Sequence, residues 1–454
     1  MTQANLDSTQ TDGVAHDDMR RVLTLQDLIF YGIVLIQPIA CVGIYGLVTR
    51  MSGGHAVTAI LLAMFAMTLT AVSYGRMATV YPTSGSAYTY VSKGLNAHFG
   101  FLAGWVMLLD YFLIPIINVV YVSLTMHRLF PHIPNVVWAA LVAIGITLLN
   151  LRGIGYTKNA NSLLMTVMCL VIAVFFVLGV RYLLRLAGMP GLVSFEPIYN
   201  PQTFRWSTVA TATSLAALTY IGFDGVTTLA EETINPKRTV PLATVIVCIL
   251  TGILSAAESY LAQRAWPDYN TFPNLDTAFM DVTRRIGGAP LFDAIGAVLV
   301  LSCFGTAFTG QASAARLMYS MGREGVLPKA LGQLNPKTTI PSLNTLLIGI
   351  LAFAGSLFLS YERAAELLNF GAFMAFIGVN LAAALHSIRD PSRSWSHSVM
   401  PLAGLLCCLG IWVNLPTPAM ITGSIWFLLG TIYLAIQTRG FRRKPHLIQA
   451  DKVH

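Results

Sequence analysis

The stretch STVATATSLAALTYIGFDGVTTLAE, residues 207–231, has the length and apolar content of a membrane-crossing helix, yet Gly222-Phe223-Asp224-Gly225 interrupts it near the middle. A second stretch, QDLIFYGIVLIQPIACVGIYGLV at 26–48, is interrupted in the same manner by Gln37-Pro38-Ile39-Ala40, with Gly43 and Gly46 following. Backbone that leaves the helix at membrane depth bares N–H and C=O groups, and this is tolerated only where protein or a wet cavity satisfies them. Two helices broken at corresponding places in two halves of a chain therefore predict a solute site at the bilayer midplane, and with it a secondary transporter.

Composition agrees. The 454 residues are 55% hydrophobic and 11% charged, with mean hydropathy +0.66, more apolar surface than one water-soluble core could hide. Twelve apolar stretches are long enough to span: 26–48, 55–75, 97–125, 134–150, 160–185, 207–231, 239–262, 290–315, 341–360, 364–388, 399–415 and 420–438. With the N-terminus inside, nineteen of the 28 Lys and Arg fall in cytoplasmic segments, so charge asymmetry selects both termini cytoplasmic. The net charge of +8 then reflects topology and calls for no nucleic-acid partner.

Spans 1–5 and 6–10 read as two halves, 25–186 and 206–388, each opened by a broken helix about 185 residues from the other. An odd number of spans per half inverts one against the other, giving an all-α membrane fold with a five-plus-five inverted repeat. Residues 399–438 form an accessory helix pair, 1–24 a disordered cytoplasmic tail and 439–454 a second tail. The longest loops, 263–289 and 316–340, are too short to bury cores of their own. Between Arg76 and Asn96 the run Tyr81-Pro82-Thr83-Ser84-Gly85-Ser86-Ala87-Tyr88-Thr89-Tyr90 predicts an interfacial or re-entrant segment, or a solvated turn.

Asp110 carries the sharpest signal. It falls about midway across span 3, where an ionisable group costs several kcal/mol unless paired or wet. It suits a substrate ammonium or a coupling proton, or alternatively locks the helix by hydrogen bonds. Asp224, at the second break, reads as a partner for a substrate amine or as an N-cap accepting from the Thr227 N–H. Carbonyls around Tyr220, Ile221 and Gly222 mark a half-helix C-terminal end, where the dipole favours cations. Phe223, Tyr220, Tyr111 and Trp105 offer aromatic faces to an ammonium or pack as ordinary helix side chains. Glu231 and Glu232 could pair with Arg76 or Lys93 as an inner gate, or lie on a solvated face. Glu258 reads as a group reaching water or a vestibule charge. Ser302, Thr306 and Thr309 supply hydroxyls for a sodium site or for helix packing. The six cysteines lie within apolar spans without CxxC spacing and read as packing residues.

The stretch Pro82 to Tyr90, Leu109-Asp110-Tyr111, Ile221 to Thr228 running into Glu231-Glu232-Thr233, and Arg316 through Gly325 to Pro328 resemble the amino acid–polyamine–organocation family, and within it the bacterial putrescine importers. The resemblance covers residues 20–438. It implies the five-plus-five fold, an inner-membrane location and proton-motive-force-driven import of an amine or polyamine, with an amino-acid permease or exchanger as the alternative. The residues at and facing the two breaks give an expected substrate site of Pro38, Ile39, Ala40, Asp110, Tyr111, Tyr220, Ile221, Gly222, Phe223 and Asp224, with Asp110, Glu231 and Glu232 in gating or coupling. Where amino-acid members bare N–H groups to a carboxylate with small residues, this chain has Gln37-Pro38-Ile39-Ala40-Cys41, which favours a ligand without a carboxylate. Gly43 stands where the importers carry an acid, so a second ammonium loses that partner. The lysine that some members carry in helix 5 is absent from the run Thr166 to Cys169.

No HExxH, no GxSxG and no His/Cys/Asp cluster at ligand spacing occurs, so neither an enzyme nor a metal centre is expected, and no cofactor. A receptor would need a soluble partner-binding domain. The expected partners are a small amine or amino acid, protons and the lipid bilayer.

Overall fold

Thr24 opens the first helix. Its hydroxyl accepts from the Asp27 N–H while the Asp27 carboxylate accepts from the Thr24 N–H, a reciprocal cap that fixes where the helix starts. The computed structural model describes residues 21–81, 86–153, 158–323, 328–336, 338, 340–390, 396–443 and 445. Residues 1–20 of the first predicted tail and 444 and 446–454 of the second therefore lie outside the described residues, as does Pro82 to Gly85.

In chain order the helices are α1 (Leu25–Ile36), α2 (Tyr45–Met51), α3 (Ala56–Val80), α4 (Ser86–Gly94), α5 (Ala97–Leu129), α6 (Asn135–Leu151), α7 (Lys158–Leu192) and α8 (Trp206–Ala216). They continue with α9 (Pro236–Ala265), α10 (Ala278–Arg323), α11 (Ser342–Phe358), α12 (Tyr361–Arg389), α13 (Ser396–Trp412) and α14 (Thr417–Gln437). Eight helical segments of the described residues are long and apolar enough to cross a bilayer, counting Trp206–Glu232 as one, and α1, α6, α11 and α13 are shorter apolar helices. The outer faces are apolar too. Leu141, Ile144 and Leu148 on α6, and Ile421, Ile425, Leu428 and Ile432 on α14, form exposed stripes at helical spacing. In water each such side chain would forgo about 1.5–3 kcal/mol, whereas lipid makes the exposure cheap.

Lipid tails are as apolar as leucine, so the helices are held by close packing and polar contacts. Small residues permit that closeness. A Cβ on Gly75 of α3 would meet Pro241 Cα of α9 at 2.6 Å, and one on Gly430 of α14 would meet the Trp105 ring of α5 at 2.3 Å. Trp105 and Trp426 stack at 5.0 Å, and each indole N–H donates to the other's carbonyl at 3.0 Å.

Both breaks are present. The first runs from Gln37 to Ile44 in tight turns, and Gln37 itself sits at φ +70°, outside the helical region. The second follows a 3-10 turn, Ala217–Tyr220, and centres on Gly222 at φ +116°, a conformation that glycine adopts without strain. Beyond it the chain is a 3-10 helix, Phe223–Glu232, and not the α-helix that an N-cap at Asp224 would open.

Two segments read as loops carry structure. Ser86 to Gly94 is helical, and its Ala87, Tyr90 and Val91 are buried, which excludes a solvated turn there. The 263–289 stretch holds the first turns of α10, kinked at Gly288, and its Phe272 and Phe279 rings pack on Tyr45 of α2 at 5.8 and 5.5 Å. It covers the C-terminal half of the first broken helix.

Candidate functional site

Between the two breaks lies a cavity of about 570 Å³. Its walls come from α1 and the first break (Tyr31, Gln37, Ile39, Ala40, Gly43), α5 (Tyr111, Asn118, Tyr121), the second break (Ile221, Gly222), α10 (Ser302, Thr306, Thr309) and α12 (Tyr361). The volume suits a small organic solute with some water. Tyr31, Leu35, Thr309 and Ser313 at one end are exposed, while Ile39, Tyr121, Tyr361 and Leu368 at the other are buried, so the cavity opens toward the N-terminal end of α1.

Tyr121 and Tyr361, 4.7 Å apart between ring centres, close the buried end. Gly43 makes room for them: a Cβ there would meet the Tyr361 hydroxyl at 2.6 Å and Tyr121 Cζ at 3.2 Å. An acidic side chain at 43 would displace that pair.

Gln37 fastens the first break to α10. Its amide donates to Thr306 Oγ1 at 2.7 Å, and Ser302 Oγ donates to its carbonyl oxygen. The hydroxyls considered for a sodium site are thus engaged by a neutral amide, and Thr309 bonds back to its own helix through the Gly305 and Thr306 carbonyls.

Of the ten residues expected to bind substrate, Ile39, Ala40, Tyr111, Ile221 and Gly222 line the cavity. The other five do not. Pro38 is buried behind the break. Tyr220 is fully buried with its hydroxyl on the Ile60 carbonyl at 2.9 Å, and Phe223 packs between Tyr74 and Phe376 at 5.4 and 5.3 Å. Neither ring is offered to a ligand in this conformation, and Trp105 is taken up by its stack with Trp426. The reason is geometric: the 3-10 turns around the break rotate successive side chains by about 120°, so facings extrapolated from α-helical periodicity are wrong.

Asp110 sits behind the wall. It is 8% exposed, and its Oδ1 has no hydrogen-bond partner. Gly371 of α12 leaves it space, since a Cβ there would meet Oδ1 at 2.5 Å. Asp224 acts electrostatically on Asp110 and on Tyr111, and neither acid is among the residues that line the cavity. Asp224 is not an N-cap. That position belongs to Gly222, with no side-chain cap bond, and the Thr227 hydroxyl donates to the Asp224 carbonyl at 2.7 Å.

At the far end of the second broken segment the Glu232 carbonyl accepts from the N–H groups of Val22 and Leu23 at 2.9 and 3.0 Å, and Ile234 N–H donates to the Leu23 carbonyl at 2.9 Å. Backbone therefore ties the start of α1 to the end of Phe223–Glu232, next to the carboxylates expected to gate. Arg76 donates to the His397 carbonyl, and Lys93 lies 5.7 Å from the Tyr81 ring centre.

Glu258 departs furthest from expectation. It is completely buried and reaches no water; Cys41 of the first break donates to its Oε2 at 2.7 Å, so this cysteine does more than pack. Gln37 was read as the first residue of the break, Tyr31 and Tyr121 only as residues of apolar spans, and Tyr361 fell between two spans; nothing local in the sequence marks that the four share a cavity.

The amino acid permease family profile matches residues 25–441. The chain is 31% identical to the low-affinity putrescine importer PlaP of Escherichia coli K12 over 441 residues, 95% of this chain and 97% of that one. It is 25% identical to the branched-chain amino acid permease BcaP of Lactococcus lactis, covering 93% and 95% of the two chains. The methylthioribose transporter of Bacillus subtilis is 24% identical, with 93% and 94% covered. With two broken helices enclosing a solute-sized cavity and a match along nearly its whole length, this chain belongs to the amino acid permease family and is a multi-pass membrane permease, not an enzyme.

Proposed function

We propose that the protein imports a small amine lacking a carboxylate, putrescine or a relative, across the inner membrane, driven by the proton-motive force. The observation that carries the reading is the cavity wall. Four tyrosines, Tyr31, Tyr111, Tyr121 and Tyr361, and the C-terminal ends of two helical segments at Ile36 and Tyr220 face or border it, with no lysine or arginine among its lining residues. Helix C-termini and aromatic faces stabilise an ammonium, and no cationic side chain on the wall offers a charge to a carboxylate. Asp110 and Asp224, though not on the wall, bias a low-dielectric cavity toward cations. The relative PlaP imports putrescine, as its name states.

The architecture in this reading has twelve spans, with 25–186 and 206–388 as inverted repeats, 399–438 as an accessory pair and both termini cytoplasmic. The cavity then opens inward. Asp110, Glu231 and Glu232 serve gating or coupling in this scheme.

A second reading is favoured by one fact: no carboxylate lines the cavity, which equally suits a permease for apolar amino acids such as the relative BcaP. Uptake of radiolabelled putrescine, cadaverine, leucine and arginine into proteoliposomes, with and without an acid-outside gradient, separates the two. Gradient-stimulated putrescine accumulation supports amine import; gradient-stimulated leucine accumulation with none of putrescine replaces it with the second reading.

A further inference from the structure

The eight-residue break at the end of α1 has two faces. Ile39, Ala40 and Gly43 line the cavity, while Cys41 turns away and donates to Glu258 on α9. Glu258 is 0% exposed, and its Oε1 has no hydrogen-bond partner. An ionised carboxylate with one thiol donor, sealed from water, is short of several kcal/mol of solvation, so the site suits the neutral acid. Ser255 and Ser259 flank Cys41 from the same helix, Tyr45 of α2 and Tyr220 of the 3-10 turn feel the cysteine, and Glu258 is its one acidic neighbour. No lysine, arginine or histidine is among the described groups acting on Cys41 or Glu258.

We propose that Glu258 carries the coupling proton, which leaves Asp110, Glu231 and Glu232 to gating, and that the break between α1 and α2 connects Glu258 to the solute. This rests on the proton-driven reading above. The same short segment forms the cavity wall and the lid over the acid, so a solute that moves the segment exposes or seals Glu258. When the segment shifts far enough to admit water, the carboxyl O–H bond breaks and the proton passes to that water molecule, with the Cys41 thiol still donating to the carboxylate left behind. Reloading reverses these steps from the other side of the membrane. The arrangement needs no cation to balance Glu258, because the acid is charged only while it is wet.

The test compares wild type, Glu258→Gln and Cys41→Ala in proteoliposomes, with [14C]putrescine as the probe and two assays. One is accumulation driven by an acid-outside gradient; the other is exchange of internal for external putrescine at equal pH on both sides, repeated from pH 5.5 to 8.5. In Glu258→Gln the gradient stimulation should fall about tenfold or more, while exchange persists and loses its pH dependence. Cys41→Ala should stay coupled but displace the midpoint of the pH profile, because the carboxylate has lost its donor. Gradient stimulation of wild-type size in Glu258→Gln overturns the proposal, and so does equal loss of exchange and gradient-driven uptake, which is what a structural acid would give. If Glu258→Gln does not fold, Cys41→Ala decides: an unmoved midpoint overturns the proposal. Should wild type carry [14C]leucine and not putrescine, the amine reading fails and the same comparison is made with leucine; a wild type indifferent to pH with both probes overturns the assignment of Glu258.

Discussion

Replacing Gln37 separates two opposing contributions at one residue. Its side chain makes two hydrogen bonds to α10, through Thr306 and Ser302, and its backbone holds φ +70° and ψ +135°. Each buried bond contributes about 0.5–1.5 kcal/mol, so Gln37→Ala should cost about 1–3 kcal/mol while keeping the backbone strain. Gln37→Gly loses the same bonds but relieves about 1–3 kcal/mol of strain, offset by about 0.4–1 kcal/mol of added freedom in the unfolded chain. The glycine variant should therefore be the more stable of the two, and both should fall below wild type. Thermal unfolding of detergent-purified protein measures the order. Because the lost bonds hold the break against α10, a shift of about 1–3 kcal/mol should also change the distribution between open and closed cavity by about 5–150-fold, readable as a change in the apparent affinity for the solute. Gln37→Ala with wild-type stability, or more stable than Gln37→Gly, would refute the roles given to both the amide and the backbone.

Asp110→Asn keeps shape and hydrogen-bonding capacity but removes the charge, so uptake should fall sharply in a protein that reaches the membrane in normal amount; full transport would return Asp110 to helix packing. Asp276, in the segment before α10, has its carboxyl pushed up by burial and then by the Glu362 charge. The folded state there favours the protonated acid, so stability is lost as pH rises above the unfolded value of about 3.9, and Asp276→Asn should raise the unfolding temperature at pH 7.5 and not at pH 3.5. An equal effect at both pH values would remove the ionic cause. With native cysteines replaced, cysteines substituted for Lys237 and Asp276 should react with an impermeant thiol reagent from inside and outside respectively; labelling of position 237 in sealed cells would invert the topology.

How far the sequence reached depended on what kind of residue carried each feature. The breaks were legible because Pro38 lacks an N–H and Gly222 accepts a positive φ, both local properties of the chain. Apart from Ser86–Gly94 and the first turns of α10, helix positions were legible from apolar run length. Side-chain facing near the breaks was not, because tight turns replace the α-helical rotation there, and so Tyr220 and Phe223 were expected in the cavity but pack in the core. Contacts across long separations left no local trace. Cys41 and Glu258 lie 217 positions apart, and Gln37 lies 265 from Ser302. Gly43 was read only as the place of a missing acid and Gly371 carried no signal, although the Tyr361 hydroxyl and the Asp110 carboxyl occupy the space where their side chains would be.

The central claim is that the cavity between the breaks binds an amine without a carboxylate. Equilibrium binding of [14C]putrescine to the purified protein, competed by butylamine, leucine and arginine and repeated with Ala40→Phe, tests it most directly. Ala40 lines the cavity, so the added ring fills it from the wall. The account predicts saturable putrescine binding that butylamine displaces, that leucine and arginine displace poorly, and that a folded Ala40→Phe protein lacks. Displacement by leucine or arginine at lower concentration than butylamine, or undiminished binding by Ala40→Phe, would contradict it.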